Sequence, residues 1–137
     1  MDSAPKSVSN QASAREKRRY IRFSYVSPIR FCQLNTDSSL KLQLGKSKNL
    51  SQGGLKIHAL APLERRAIAV VDLDLNSASV LIRTNDILFI ADKRLLAEVS
   101  WRHLNLETGL FEAGLRFLEI DRREEFETLI DRASAIN

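Results

Sequence analysis

The chain has 137 residues, enough for one domain with a buried core, and a hydrophobic share of 44% is ordinary for a globular protein. Its net charge of +4 is modest and uneven. Arg15, Lys17, Arg18, Arg19, Arg22 and Arg30 crowd one stretch against Glu16 alone, which speaks for a local anionic ligand rather than an extended nucleic-acid surface. The single cysteine, Cys32, excludes an internal disulfide. No apolar run approaches a membrane span, and the N-terminus shows no signal-type segment. A cytoplasmic protein without membrane insertion is the expectation.

Residues 1–14 are small and polar and read as a flexible tail; residues 15–137 read as the domain. Residues 15–22 begin a short helix or stay extended, and are expected to order when a ligand arrives. Residues 25–34 read as a strand with Ile29 and Phe31 on one side, Arg30 on the other and Pro28 at its start or edge. Residues 35–39 form a turn, and Leu40, Leu42 and Leu44 alternate with Lys41 and Gln43 as a half-buried strand. Residues 45–54 read as a connection. Leu55 and Ile57 then alternate with Lys56 and His58.

Residues 67–75 read as a further strand, with Leu73 and Leu75 against Asp72 and Asp74. Asn76-Ser77 turns the chain into residues 79–83, Asn85-Asp86 turns it again, and residues 87–91 are apolar. Asp92-Lys93-Arg94 breaks that run. Leu95, Ala97, Val99 and Trp101 alternate with Leu96, Glu98 and Ser100. Phe111, Ala113, Leu115 and Phe117 alternate with Glu112, Gly114 and Arg116. A helix is expected over 121–135. Asp121 and Glu124 offer a capping box, and Phe126, Leu129, Ile130 and Ala133 recur at helical spacing. Short strands followed by one helix predict a small antiparallel barrel or rolled sheet that the helix partly covers.

Two clusters carry chemistry. Arg18 and Arg22, four apart with Arg19 between, share a side whether the segment is helical or extended. Guanidinium forks grip phosphate oxygens and the O6/N7 edge of guanine. Asn49 and Ser51 supply polar side chains, and Gly53 and Gly54 allow positive φ and close approach to a ligand. Taken singly, each cluster reads as a surface feature.

Together, Arg18-x-x-x-Arg22 and Asn49-x-Ser51-x-x-Gly54, followed by Val99-x-Trp101 and Gly114-Leu115-Arg116-Phe117, resemble the PilZ domain family over residues 17–120. The register Arg15/Arg19 competes; Arg18/Arg22 is preferred because Phe23 leads directly into a strand. The resemblance implies a mainly β fold, a six-stranded antiparallel barrel, here with extra strands and a C-terminal helix. It also implies a bacterial second-messenger receptor for cyclic di-GMP, bound as one molecule or an intercalated dimer. Arg18 and Arg22 would hold guanine edges and phosphates, with Arg19 as a helper. Asn49 and Ser51 would touch guanine or phosphate, and Gly54 would let the turn lie close. Binding would order the arginine segment and present a surface to an unknown downstream protein in motility or biofilm regulation. The chain departs from a compact member in its length between Gly54 and Trp101. The extra residues at 67–91 are read as a hairpin, a homodimer surface or long barrel strands.

No catalytic constellation or cofactor is expected. His58, His103 and Cys32 lack metal-ligand spacing, Ser51 has no general-base partner in sequence, and Asp72 and Asp74 read as a solvated strand face. Trp101 reads as a core or barrel-rim aromatic rather than a base-stacking platform, and Phe111, Leu115 and Phe117 read as core. The alternatives are a ligand-independent adaptor on the same domain and a small nucleic-acid-binding barrel. The second needs exposed aromatic platforms among basic residues.

Overall fold

The computed structural model of the protein describes residues 21–35, 42–73 and 82–136. The tail at 1–14, Arg18, Arg19, Leu40, Asp74 and the turn at Asn76-Ser77 lie outside the described residues. Eight strands precede the helical C-terminus: β1 Phe23–Ser24, β2 Pro28–Gln33, β3 Gln43–Ser51, β4 Gly54–Ala59, β5 Ile68–Asp72, β6 Phe89–Ala91, β7 Arg94–Asn105 and β8 Leu110–Phe117. A 3₁₀ turn at Ile120–Phe126 runs into helix α1, Glu127–Ser134.

Six strands pair in the order β2, β5, β7, β8, β4, β3, and β3 returns to β2, so the antiparallel sheet closes on itself. Closure satisfies strand edges that an open sheet would leave bare. The two further strands are β1, which lies on β3, and β6, which forms a hairpin with β7. The expected six-stranded barrel with extra strands and a C-terminal helix is therefore the observed architecture. Of the extra residues at 67–91, the first part is β5, a barrel strand, and the last is the β6 arm of the hairpin.

The barrel holds two apolar layers because some strands are covered on both faces. Ile29, Phe31, Leu50, Ile57, Leu95, Val99 and Leu115 fill the interior. Cys32, Leu34, Val70 and Leu96 point the other way and pack against Leu118, Ile130 and Ala133 of the C-terminal segment. Ile68 to Val71 are consequently all buried, and β5 does not show the simple alternation of a one-sided strand. Cys32, at 1% exposure, is a buried thiol in this second layer.

Four sequence expectations are corrected. Residues 45–51 are strand, not connection: β3 continues to Ser51 because β2, β1 and β4 all pair with it, despite its polar sequence. Leu44 is 72% exposed rather than half-buried. The inward position beside it belongs to Gly45, where a Cβ would stand 3.2 Å from the Phe31 ring and 2.8 Å from the His58 carbonyl oxygen. The capping box at Asp121/Glu124 does not form. Residue Glu119 is extended, no side chain caps the segment, and α-helical geometry begins only at Glu127. Asp72 is not a solvated carboxylate. It accepts from Arg94 Nε and Nη2 at 2.7 and 3.2 Å and stands 3.4 Å from Arg30, while Arg94 also donates to the Ile136 carbonyl at 2.9 Å.

Ser47 fixes the break between β1 and β2. It is fully buried, and its Oγ accepts from the Ser27 N–H at 2.9 Å and donates to the Tyr25 carbonyl at 2.7 Å. A β-bulge between Ser47 and Asn49 bends β3 at the same place. Ser47→Ala takes this partner from a part-buried N–H and carbonyl and is expected to cost about 1–2 kcal/mol in chemical denaturation. Unchanged stability would show that the hydroxyl contributes nothing to that bend.

Candidate functional site

The outer faces of β3, β4, β8 and β7 form one platform. Leu50 points into the barrel, so its neighbours Asn49 and Ser51 point out. The same alternation turns Lys56 and His58 out between Leu55, Ile57 and Ala59, and turns Glu112, Gly114 and Arg116 out between Ala113, Leu115 and Phe117. Cross-strand register then sets Asn49 beside Lys56, Lys56 beside Gly114, and Gly114 beside Trp101.

Trp101 reaches this platform through a β-bulge. Pairing shifts by one residue between Val99 and Trp101, so Val99 stays in the core and the indole comes to the outside. Trp101 is thus half-buried on the platform rather than part of the core; Phe111, expected in the core, is also only half-buried, whereas Leu115 and Phe117 are core residues. The indole lies over Gly114, where a Cβ would meet Trp101 Nε1 at 2.0 Å. Lys56 Nζ stands 5.9 Å from the ring centroid, within cation–π range.

A cleft of about 500 Å³ opens on this platform. Asn49, Ser51, Gly53 and Gly54 line it from the β3–β4 turn, and Arg22 reaches it from the residue before β1. Pairing of Phe23 with Leu50 and Ser24 with Asn49 is what carries Arg22 there. Of the seven residues singled out in the sequence, these five share the cleft; Arg18 and Arg19 lie outside the described residues.

The far wall was not legible in the motifs. It comes from Arg83, Asp86, Glu119 and Arg122. Two hydrogen bonds bind it to the turn: Gln52 Nε2 donates to the Arg83 carbonyl at 2.5 Å, and the Arg83 N–H donates to Gln52 Oε1 at 2.6 Å. The side-chain amide of Gln52 thus acts as a short piece of strand. A bond from Ile120 N–H to the Asp86 carbonyl at 2.8 Å ties this wall to the 3₁₀ turn. Arg116 pairs with Glu98 across the floor, and Arg122 is held by both oxygens of Glu125 at 3.0 Å.

Gly53 and Gly54 do not have positive φ; among the described residues Gly109 is the one glycine that does. What Gly54 requires is room against β8. A Cβ there would stand 2.0 Å from the Leu115 carbonyl oxygen. Ser51 closes the turn by donating from Oγ to the Gly54 carbonyl at 3.4 Å.

Beside the cleft, Glu112 gathers polar neighbours. Asn105 donates to it at 3.1 Å, Lys56 lies 3.8 Å away, and His58 Nε2 lies 3.4 Å away. The Asn105 hydrogen bond, with help from Lys56 and His58, holds the Glu112 carboxyl below its ordinary value. Burial lowers the His58 pKa below 6.5, opposed by Glu112 and reinforced by Lys48 and Lys56. The unfolded chain therefore takes up a proton at His58 before the folded one does. This term is complete above 6.5 and is lost as pH falls through the depressed folded value. His58→Gln is expected to flatten the loss of stability as pH falls below 6.5, read from denaturant midpoints; a slope equal to the parent's would remove His58 as its source.

Among the described residues no cluster of three or more His, Cys, Asp or Glu is placed to hold a metal ion, and no helix is long and apolar enough to cross a membrane.

A family model of the PilZ domain matches residues 16–134. The chain belongs to the PilZ domain family. The match extends beyond the resemblance carried by residues 17–120 and takes in α1. A comparison with curated proteins gives no match. Membership implies a cyclic di-GMP-binding domain, and the cleft joins Arg22 to the Asn49–Gly54 turn.

Proposed function

We propose that this PilZ domain is a non-enzymatic receptor for cyclic di-GMP, and that the ligand occupies the cleft between the arginine segment and the β3–β4 turn. The observation that carries the reading is convergence. Arg22, Asn49, Ser51 and Gly54 are separated in sequence and line one space. Arg22 supplies a fork for phosphate oxygens or a guanine O6/N7 edge, and Arg18 and Arg19 extend the same charge from residues just before it. Asn49 and Ser51 bring hydrogen-bonding groups to the base or the ribose-phosphate ring. Lys56 and Arg116 add positive charge to the floor, and the indole of Trp101 offers a π-face beside it.

On this reading the ligand orders residues 15–22 against the barrel, and the ordered segment plus the filled cleft form a new surface for a downstream protein in the cytoplasm. The test is calorimetric titration of the purified protein with cyclic di-GMP, with linear GMP dinucleotide and short RNA alongside. Saturable binding of the cyclic ligand alone is expected, as one molecule or as a dimer by its stoichiometry. No heat at tens of micromolar protein sinks the receptor reading and leaves the ligand-independent adaptor. Preferential binding of RNA would favour the nucleic-acid barrel.

A further inference from the structure

The two edges of β7 are used unequally. Along one edge β8 pairs with residues Ala97 to Asn105. Along the other, β5 pairs only with Arg94 to Glu98. The last backbone bonds there are Arg66 N–H to the Val99 carbonyl at 2.8 Å and Val99 N–H to the Ala67 carbonyl at 2.9 Å. From Trp101 to Asn105 this edge has no strand partner among the described residues. The β7–β8 hairpin thus runs past the closed barrel, and among the described residues one edge of β7 has no strand partner over those five residues.

An open strand edge is a template for another extended chain, with main-chain hydrogen bonds for affinity and alternate side chains for selectivity. A groove of about 370 Å³ lies along it, lined by Arg65, Arg102, His103, Leu104 and Phe111 beside Trp101. Leu104 is 40% exposed, and Leu106 at the hairpin tip is 87% exposed. Apolar and basic groups therefore share one groove, with Glu64, Glu107 and Glu112 as the acidic neighbours in sequence, Glu112 being engaged by Asn105, Lys56 and His58.

We infer that the open edge of β7 at residues 101–105 accepts an extended segment of another protein that presents acidic and apolar side chains two residues apart, on one face of the added strand. Arg102 and Leu104, two apart with Phe111 opposite Leu104, share a face, so the added strand pairs its backbone with β7 and sets on that face a carboxylate near Arg102 and Arg65 and an apolar side chain on Leu104 and Phe111. Charge selects this occupant. A second copy pairing edge to edge would bring two sets of these arginines together. The chain's own first twenty residues carry Lys6, Arg15, Lys17, Arg18 and Arg19 against Asp2 and Glu16, which is the wrong sign. The groove shares Trp101 with the nucleotide cleft, but Arg65, Arg102, His103, Leu104 and Phe111 belong to the groove alone, and the inference does not rest on the receptor reading.

Trp101, the sole tryptophan, sits at this edge, so its fluorescence reports occupancy. The full chain is titrated with the seven-residue peptide Thr-Glu-Thr-Leu-Thr-Glu-Thr, which sets Glu and Leu on one strand face, and with its counterpart carrying Lys in place of Glu. Saturable change with the acidic peptide and none with the basic one is expected. Arg102→Glu and Arg65→Glu each weaken the acidic peptide by about tenfold or more without changing the far-UV circular dichroism. Leu104→Pro removes a backbone donor and is read in the same way. If neither peptide binds, or both bind equally, the inference is overturned and the arginines only guard the edge against pairing. A parent that sediments as a dimer, and as a monomer after Arg102→Glu, would assign the edge to a second copy instead.

Discussion

Arg22→Ala is expected to weaken cyclic di-GMP binding by about tenfold to a hundredfold, the loss of one or two charge-assisted hydrogen bonds. Arg22 is exposed and precedes the first strand, so the thermal midpoint should stay within about a degree or two of the parent's, the usual outcome for a surface substitution. Calorimetry and a melting curve on one preparation separate the two quantities. Arg22→Lys keeps the charge and loses the planar fork. It should recover little affinity if the contact is bidentate and most of it if the contact is only Coulombic. Full binding by Arg22→Ala removes this residue from the site and returns the competing register, Arg15 and Arg19, as the arginines that matter.

Gly54→Ala should act in the opposite way, through the fold first. The added methyl would sit 2.0 Å from the Leu115 carbonyl oxygen, 3.0 Å from its carbon and 3.1 Å from Arg116 Cα. These are backbone atoms in a paired strand and cannot swing aside as the end of a side chain can. β4 and β8 must separate at Gly54–Arg116, which disturbs Leu55 and Leu115 just beneath. A cost of about 1–3 kcal/mol is expected, which for a chain of this size lowers the melting temperature by several degrees. Ligand affinity should fall as well, because the turn that carries Asn49 and Ser51 moves with β4. A variant as stable as the parent would mean that the strands part without penalty, and that the glycine serves the ligand rather than the packing.

Much of the barrel is legible in the chain where one face is dry and the other wet. Leu55 and Ile57, or Leu115 and Phe117, announce their strands by strict alternation. Legibility fails where something else satisfies the backbone or covers a face. Residues 45–51 look like a connection because Lys46, Ser47, Lys48 and Asn49 bring no apolar period. Pairing on both sides makes them strand all the same, and Ser47 is buried only because its hydroxyl is hydrogen-bonded. Trp101 looks like core because it continues the period of Leu95, Ala97 and Val99; one extra residue, Ser100, reverses its direction. The near side of the cleft could be read from two motifs. The far side could not, since Arg83 and Arg122 reach it through the Gln52 amide and the bond from Ile120 to Asp86, which no local spacing encodes.

The double burial of β5 has a consequence before the barrel is complete. Ala67 to Val71 is an uninterrupted apolar segment, rich in β-branched residues, that needs both the interior layer and α1 to hide it. In a partly folded chain it is the kind of stretch that seeds intermolecular β-structure. Arg65 and Arg66 stand immediately before it and Asp72 immediately after. Whatever they do in the finished barrel, these three charges are gatekeepers against aggregation while the last strands and the helix are still on their way.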